Sequence, residues 1–587
     1  MLEYLGSYLR PFRKQFIIGP LFKLAEAVLE LTLPLYMARI INEGIVRQDT
    51  SLIRSLGLRM LITIVVNLIC ATICQYCASV ASQGFGTKAR DGIFSHINRL
   101  SFPDLDRLGT DTLITRITND INQLQVAVAM SIRLISRAPF VSIGAIVLAM
   151  RMDLSLSVII WVGVGSFIAV LAVIMRAAFP LYSDAQRLLD RVGRVLRENL
   201  SGVRVIRAFD RVSVEFRRFV LAVDAHRKKL VYVSKIASLM NPATALIMNI
   251  LICAILWFGG IRVQTGDIMW GEISAFISYI GLILNALLVV ANLVVIFTKS
   301  AASLTRVNEV FSLAPAFGER ERADESALEK NGRETESNEA LSFSRVSFSY
   351  TGDAAQNVLS EIDFTLKRGE SLGIIGGTGS GKTTLLSLIL RFYTGETGEI
   401  RLFGQKIGHF APENLRSRIA CVFQTPRLFS GTIRENLFWG KITATEKEMR
   451  ESVCSAQAEE FVNTLPDGLD SRIERDGANF SGGQKQRLSI ARALLRKPEL
   501  LLLDDASSAL DYATEAKLRG SIRELQQRTG MSVVIVSQRI ASVRHSETIL
   551  VLREGRQVGR GSHSELMKNC PDYRLIASSQ LPEEEVS

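Results

Sequence analysis

One stretch of the chain has the composition and spacing of a phosphate-binding loop. Gly376–Thr383 reads GGTGSGKT and fits the pattern GxxxxGK[ST] at every required position. Glycines let the backbone wrap around phosphates, so that its N–H groups point at their oxygens. Lys382 supplies a positive charge, and the hydroxyl of Thr383 is a ligand for Mg²⁺. The sequence therefore predicts that this chain binds ATP with Mg²⁺.

The segments on both sides of this loop fit the same prediction. A short apolar strand, Ser371–Ile375, precedes it, and an apolar helix, Thr384–Arg391, follows it. The motif needs this strand–loop–helix context. The positive end of the helix dipole then adds to the attraction for phosphate.

Further residues have types suited to the same chemistry. Tyr350, about 25 residues before the loop, offers a ring that can stack on adenine, and Gln424 offers an amide for Mg²⁺ and the attacking water. Asp504 closes the apolar run LLLLD and is placed to hold Mg²⁺ through water. Ser481–Gln484 reads SGGQ and opens a helix, which predicts a second phosphate-binding surface. Gln538 ends another apolar strand.

These assignments give three sets of candidate residues. The predicted nucleotide contacts are Tyr350, Gly376, Gly377, Thr378, Gly379, Ser380, Gly381, Lys382, Thr383, Thr384, Gln424, Ser481, Gly482, Gly483 and Gln484. The predicted metal ligands are Thr383, Gln424 and Asp504, and the predicted catalytic residues are Lys382, Gln424, Asp505 and Gln538.

Composition limits what surrounds this site. A chain of 587 residues is too long for one domain, and 48% hydrophobic residues is high for a soluble protein. The net charge of +11 suits either nucleic acid or an anionic membrane surface. Seven cysteines do not suggest a disulfide framework. Cys74 and Cys77 form a CxxC, but they share one face of an apolar helix with Cys70, so we expect packing there rather than a metal or redox site.

Apolar runs long enough to cross a membrane recur in the first half of the chain. About 20 apolar residues span the hydrocarbon core as a helix. Six candidates meet this condition, at about 15–41, 58–82, 128–150, 154–178, 236–260 and 271–299.

The connections between these spans predict their orientation. The loops after the second and the fourth span are long, and the latter, Arg176–Lys235, has 14 Lys or Arg against 6 Asp or Glu. By the positive-inside rule the long loops are cytoplasmic. Six spans then place both termini and the ATP-binding domain in the cytoplasm. The basic charge lies mostly at the inner face of the membrane, which argues against a nucleic-acid partner.

The first span contains three ionisable residues on one helical face, Lys23, Glu26 and Glu30. Such groups are costly at membrane depth unless they are paired or hydrated. We expect Lys23 and Glu26 to pair. Two alternatives remain for the carboxylates: they are solvated below the bilayer, or Glu26 and Glu30 line a water-filled cavity that accepts cationic substrates.

These patterns predict a membrane α-helical domain followed by a cytoplasmic α/β P-loop nucleotide-binding domain. We predict an amphipathic membrane-surface segment at 1–14 and no cleavable signal peptide, with the six-span domain at 15–311. A charged linker at 312–340 and an ATP-binding domain at 341–580 complete the expected order.

The order of motifs resembles that of a half-transporter of the ABC exporter family. Six spans are followed by a Walker A loop, a Q-loop, the SGGQ signature, Walker B, the D-loop Ser508–Asp511 and a switch region. The resemblance implies a dimer in which each ATP lies between the Walker motifs of one subunit and the signature of the other. It also implies coupling helices in the long loops, near Pro103–Leu113 and Val203–Phe209.

The chain departs from the family pattern at three positions. The residue after the Walker B aspartate, usually a glutamate that serves as general base, is Asp505, and the switch histidine is replaced by Gln538. Arg475 stands near the place of a common glutamate before the signature. A side chain shorter by one methylene withdraws its carboxylate by about 1.5 Å, and glutamine has no titratable proton at neutral pH.

This combination resembles the degenerate-site subunit of heterodimeric bacterial multidrug exporters. The resemblance implies ATP-driven export of a hydrophobic or amphiphilic molecule across the cytoplasmic membrane, with a second half-transporter and membrane lipid as partners. The Walker site of this chain would be slow. Two alternatives remain open: a homodimeric lipid or peptide exporter, and a non-pumping ATP-gated regulator of the same fold.

Overall fold

The structure, a computed structural model, describes residues 3–315, 338–351, 353 and 356–580. The chain divides into two compact units. The first contains the described residues up to Ile97 together with Asp111–Ser312, and the second contains Asn98–Thr110 and the described residues from Leu313 onward. Most of the predicted linker, at 316–337, lies outside the described residues.

The first unit is helical. Its helices are α1 (Glu3–Leu9), α2 (Arg13–Arg39), α3 (Thr50–Ile97), α5 (Thr110–Met152, with two π-helical segments), α6 (Leu154–Ser201), α7 (Val203–Ala208), α8 (Val212–Gln264, with a turn at Leu239) and α9 (Trp270–Ser312). The short helix α4 (Phe102–Leu108) belongs to the second unit. Both α4 and α7 lie where the family resemblance predicts coupling helices.

Five helices of the described chain, α3, α5, α6, α8 and α9, are long and apolar enough to cross a membrane. In the most apolar 18-residue stretch of each of these helices, only 11–28% of the residues are buried inside the protein. Most of this apolar surface therefore faces outward. The first predicted span, at about 15–41, forms α2, which is not among the five. The reason is visible in its sequence, because Lys23, Glu26 and Glu30 interrupt its apolar run.

These three residues of α2 are ion-paired within the protein. The predicted pair is confirmed, since Lys23 Nζ donates to both carboxylate oxygens of Glu26 at 2.7 Å. Arg137 of α5 donates to Glu30 at 2.7 Å, and its Nε lies 3.9 Å from Glu26. These ion pairs argue against the alternative in which Glu26 and Glu30 line a cavity for a cationic substrate.

The cysteines of α3 are buried, as the packing interpretation requires. Cys70, Cys74 and Cys77 are 1–6% exposed. Cys74 packs in one apolar cluster with Ala78, Ala81 and Ile132.

The second unit is built on a ten-stranded sheet. Its strands are β1 (Glu339–Phe348), β2 (Leu359–Lys367), β3 (Ser371–Gly376), β4 (Thr397–Leu402), β5 (Gln405–Lys406), β6 (Ile419–Val422), β9 (Leu500–Asp504), β10 (Ser532–Ser537), β11 (Thr548–Arg553) and β12 (Arg556–Gly561), in the order β5-β4-β1-β2-β12-β11-β3-β10-β9-β6. A separate two-stranded sheet pairs β7 (Gly431–Thr432) with β8 (Arg472–Ile473).

Five neighbouring strands of the large sheet run parallel, and four of them, in the order β3-β10-β9-β6, lead to the residues of the predicted site. They are almost entirely buried, which explains why they read as continuous apolar runs in the sequence. Because the carboxyl ends of parallel strands meet at one edge, the residues that follow these four strands come together there.

In the part of this unit that the structure describes, ten α-helices accompany the sheet. They are α10 (Lys382–Ile389), α11 (Pro412–Arg418), α12 (Ile433–Phe438), α13 (Glu446–Ser455), α14 (Glu459–Thr464), α15 (Gly482–Leu495), α16 (Tyr512–Thr529), α17 (Ile540–Val543), α18 (His563–Asn569) and α19 (Pro571–Ser578). Large apolar clusters form the core of the unit, so the edge with the site rests on a rigid support.

Candidate ATP-binding site

The phosphate-binding loop joins β3 to α10, and its backbone requires glycine at particular positions. Gly381, with φ +94°, occupies a region that L side chains rarely adopt, and a Cβ there would lie 2.5 Å from Leu359 Cδ2. A Cβ on Gly376 would lie 2.2 Å from the carbonyl oxygen of Leu552. By contrast, no described atom lies within 4 Å of the Cβ positions of Gly377 and Gly379. The loop is therefore packed at its two ends and open in the middle, where phosphates fit.

Lys382 begins α10 and folds its side chain back over the loop. Its Nζ donates to the carbonyl oxygens of Gly376 and Gly377, at 2.8 and 2.7 Å. Burial lowers the pKa of Lys382, and the nearby Asp505 and Asp504 oppose this shift. The ammonium group is thus positioned by neutral backbone oxygens, which leaves its charge available to a phosphate.

The next residue, Thr383, meets the Walker B aspartate. Its Oγ1 lies 3.2 Å from Asp504 Oδ2, although the two residues are 121 positions apart. Burial and the charge of Asp505 raise the pKa of Asp504, against the effects of Thr383 and Lys382. A hydroxyl beside a single buried carboxylate suits Mg²⁺, which takes few protein oxygens and completes its shell with water and phosphate.

A cavity of about 260 Å³ at the sheet edge brings most of the predicted residues together. Its lining is Val358, Thr378, Gly379, Ser380, Gly381, Lys382, Thr383, Thr384, Gln424, Asp504, Asp505, Val536 and Gln538. Gln424 and Gln538 are exposed residues, as is expected of groups that contact a ligand. Parallel pairing explains the convergence, because Ser537 lies beside Ile375, and Val536 beside Asp504.

Tyr350 lies beside this cavity and is half exposed. Its hydroxyl is 3.0 Å from Thr384 Oγ1. Its ring meets Phe348 and Tyr393 edge-on, with centroids 5.0 and 4.9 Å apart. These contacts hold an exposed aromatic ring next to the phosphate-binding loop, and its stacking on adenine stays a prediction.

The SGGQ segment forms the start of α15 and does not line this cavity. Ser481 caps the helix, since its Oγ accepts from Gln484 N while its own N–H donates to Gln484 Oε1 at 2.8 Å. Ser481 and Gly482 are exposed. The helix start is therefore ordered and open to an external group, but it is not joined to the phosphate-binding loop of the same chain.

Three residues of the site, Val358, Val536 and Ser537, were not predicted from the sequence. Val358 lines the cavity, and the buried Ser537 has its Oγ 3.4 Å from Asp505 Oδ1. Asp505 itself has φ +48°, and its N–H donates to the carbonyl of Val536. A serine at the end of an apolar strand gives no signal of this contact, which depends on the pairing of β9 with β10.

Comparisons with known proteins agree with this arrangement. Residues 16–287 match the ABC transporter transmembrane region, and residues 359–508 match the ABC transporter domain. An uncharacterised ABC transporter ATP-binding protein of Mycobacterium tuberculosis (strain CDC 1551 / Oshkosh) is 35% identical over 99% of this chain and 98% of its own length. The chain belongs to the ABC transporter family.

Other relatives extend the comparison. The uncharacterised ABC transporter ATP-binding protein YfiB of Bacillus subtilis (strain 168) is 35% identical over 98% of each chain. YheI of the same organism, named a probable multidrug resistance ABC transporter ATP-binding/permease protein, is 33% identical over 83% of this chain and 81% of its own.

A solved structure of a bacterial Atm1-family ABC exporter with ATP bound shares the fold. Its TM-score is 0.78 at 21% identity, with 97% of this chain and 99% of the other covered. The chain therefore has the fold of an ABC exporter, and one polypeptide carries the transmembrane region and the ATP-binding domain. Membership of this family implies transport coupled to ATP hydrolysis.

Proposed function

We propose that this half-transporter exports a hydrophobic or amphiphilic small molecule as one half of a heterodimer, and that its own Walker site hydrolyses ATP slowly. The outward-facing apolar helices suit an amphiphilic substrate. The name of YheI, a probable multidrug resistance transporter, supports the same class. The observation that carries the proposal is the presence of Asp505 and Gln538 in the cavity with Lys382.

The separation of the signature from the cavity supports a dimer. The exposed start of α15, with Ser481, Gly482 and Gly483, is available to an ATP held by a second subunit. A complementary signature from that subunit would cover the open cavity of this chain. Each chain then contributes residues to two ATP sites, and only one of the two needs to hydrolyse ATP rapidly.

Within its own cavity, each side chain has a defined task. Lys382 and the amides of Gly377–Thr384 bind the phosphates, and Tyr350 stacks on adenine. Thr383 and Asp504, with Gln424, would hold Mg²⁺, and bound Mg²⁺ neutralises charge on the phosphates. Gln424 and Gln538 orient water and the terminal phosphate by hydrogen bonds.

Two features make the site slow. The carboxylate of Asp505 stops about 1.5 Å short of the place that glutamate reaches, and a misplacement of about 1 Å can cost 10²-fold in rate. Gln538 cannot carry a titratable proton. Since binding depends on other residues, ATP is held tightly while its hydrolysis is impaired.

We place the chain in the cytoplasmic membrane, with both termini and the ATP-binding domain in the cytoplasm. This orientation requires α2 as a sixth crossing. Its 27 residues are long enough, and pairing of Lys23, Glu26, Glu30 and Arg137 lowers the cost of their burial. The basic connection Arg176–Lys235 then lies inside.

The decisive experiment is ATP turnover of this chain alone in lipid, beside a variant with Asp505→Glu and Gln538→His. We expect little turnover by the unaltered chain and a rise of about 10²-fold or more in the double variant. Brisk turnover by the unaltered chain would show that Asp505 and Gln538 suffice. The homodimeric alternative would then replace the heterodimer.

A further inference from the structure

A second cavity in the ATP-binding unit has no part in the mechanism above. It has a volume of about 280 Å³, close to the lower limit of ordinary ligand pockets. Residues of α15, α16, α17, β9 and β10 line it, and Val536 separates it from the ATP-site cavity by lining both. Its walls are mostly apolar, with Ile490, Leu503, Leu518 and Ile535 among them.

Two buried polar atoms in this lining, Glu515 Oε2 and Ser546 Oγ, lack hydrogen-bond partners within the described part of the chain. Glu515 is 5% exposed; its Oε1 accepts from Ser542 Oγ at 2.6 Å, but its Oε2 accepts no hydrogen bond and has only Arg539 Nη1 nearby, at 3.6 Å. Ser546 is 7% exposed, and its Oγ also has no partner. Buried polar groups without partners are costly and uncommon, so a hydroxyl or amine bound in the cavity would satisfy them.

The rim of the cavity is basic on one side. Arg519, Arg523 and His545 lie there, and Arg523 is an exposed residue with no partner in the described structure. Burial and the charges of Arg519, Arg544 and Arg523 lower the pKa of His545. Among the described residues, two carboxylates also line the cavity: the buried Glu515, and Glu547, which accepts from the backbone N–H of Ser371 at 2.7 Å. The rim therefore attracts an anionic group.

The cavity is connected to the catalytic edge by hydrogen bonds. Ser507, two residues after Asp505, lines the cavity, and its Oγ is 3.1 Å from Ser542 Oγ. Ser542 in turn donates to Glu515. Arg539, which follows Gln538, donates to the carbonyl of Ser508. A molecule that contacts Glu515 thus alters the groups that position both catalytic loops.

We propose that this cavity is a regulatory site for a small molecule with an apolar body, a hydroxyl group at one end and a carboxylate at the other. The hydroxyl donates to Glu515 and the carboxylate meets Arg519 and Arg523. Occupation fixes Ser507 and Ser542, and thereby changes the affinity of the neighbouring site for ATP.

The test uses the full chain in lipid nanodiscs and 6-hydroxy-2-naphthoate as the probe, with binding measured by equilibrium dialysis. Ala516, an exposed residue of α16 that lines the cavity, is changed in Ala516→Phe to fill the space. We expect this variant to bind the probe at least about tenfold more weakly. Arg523→Gln weakens binding about two- to fivefold. Lys517→Gln, which removes an exposed charge of the same helix outside the cavity, leaves binding unchanged.

Two related probes distinguish the contribution of the hydroxyl group to binding from that of the carboxylate. We expect 6-hydroxy-2-naphthamide, without the charge, and 2-naphthoate, without the hydroxyl, each to bind more weakly than the parent probe. Equal binding by the amide, equal binding to Ala516→Phe, or no saturable binding would overturn the proposal. Unchanged ATP affinity and melting temperature in the probe-free variants show that they are folded.

A second measurement tests the regulatory step. Linkage requires that the probe and ATP change each other's affinity by the same factor. We expect a change of at least about twofold in the unaltered chain and none in Ala516→Phe. An ATP affinity that the probe leaves unchanged in the unaltered chain would overturn the regulatory role.

Discussion

Lys382 in the phosphate-binding loop and Lys23 in the first long helix are both largely removed from water, but different groups stabilise them. Lys382 is 9% exposed, and backbone carbonyl oxygens accept its hydrogen bonds. The side chain of Lys23 is 14% exposed, and it is neutralised by the carboxylate of Glu26. Glu30 and Arg137 form a second neutralised pair beside it.

This difference separates a binding site from a structural ion pair. A phosphate that approaches Lys382 displaces only neutral carbonyl groups, whereas an anion that approaches Lys23 must compete with a carboxylate held at 2.7 Å. A charged group that only backbone carbonyl dipoles stabilise is therefore available to a ligand. A charged group that is paired with an opposite charge contributes mainly to the fold. Four predictions test this distinction, in order of decreasing effect.

The largest effect is expected for Lys382→Ala. The variant removes the one charge that the loop holds for phosphate, so we expect ATP to bind about 10²–10³-fold more weakly. The dissociation constant of ATP for the full chain checks this. Lys517→Ala, an exposed lysine of the same unit, is the control and should leave binding unchanged. A loss of less than about threefold would contradict the role assigned to the buried ammonium.

Asp504→Asn is expected to weaken Mg²⁺-dependent ATP binding by about 10–100-fold, in the range known for groups around metals. The same variant should be more stable without nucleotide. A carboxyl whose pKa is raised in the folded protein favours folding below its unfolded pKa and loses that contribution as the pH rises through the folded pKa. At pH 7.5 the unaltered aspartate therefore carries a penalty that asparagine lacks.

We expect the nucleotide-free variant to melt about 2–4 °C higher at that pH. The difference should shrink as the pH falls toward the ordinary pKa of aspartic acid, about 3.9. A lower melting temperature at pH 7.5, or a difference that grows on acidification, would show that Asp504 stabilises the fold rather than the ligand.

The ATP-binding site could be predicted from the sequence much better than the ion pairs of α2. The phosphate-binding loop, Asp504 and the signature could be identified because each follows a strand or begins a helix with a fixed local pattern. Their convergence followed from parallel strands. Contacts such as Ser537 with Asp505, or Arg137 with Glu30, could not be predicted, because partners 32 or 107 positions apart share no local pattern. The same limit explains why the sequence left open whether Glu26 and Glu30 are solvated below the bilayer or line a cavity.

Removing one partner of the ion pair between Glu30 and Arg137 is expected to have a moderate effect on stability. Glu30→Gln leaves Arg137 without its close partner, which should cost about 2 kcal/mol, below the 3–5 kcal/mol of fully buried pairs because both side chains are 21% exposed. The double variant Glu30→Gln with Arg137→Gln should recover much of this loss.

Thermal unfolding midpoints in nanodiscs measure these changes, with the exposed Glu43→Gln as control. Transport should change equally for cationic and neutral substrates. Selective loss of cationic substrates in Glu30→Gln would mean that the carboxylate serves a ligand despite its pairing, and the distinction between the two regions would fail.

The smallest effect is expected where the short helix α4 packs on the rest of the ATP-binding unit. A hydrogen bond to a carboxylate and a stacked pair of rings stabilise this contact. Tyr393 donates to Asp106 of α4, and Phe102 stacks on Phe392 with centroids 4.1 Å apart. Burial and the bond to Asp106 raise the pKa of Tyr393, so its hydroxyl remains a donor at neutral pH. Tyr393→Phe removes one hydrogen bond and retains the ring.

A loss of about 0.5–1.5 kcal/mol is usual for such a bond, so the amides of Phe102–Leu108 should exchange with solvent about two- to tenfold faster. Hydrogen exchange of the full chain measures this, and Tyr512→Phe, at an exposed tyrosine, should leave these amides unchanged. Equal protection in Tyr393→Phe would mean that ring stacking alone holds α4.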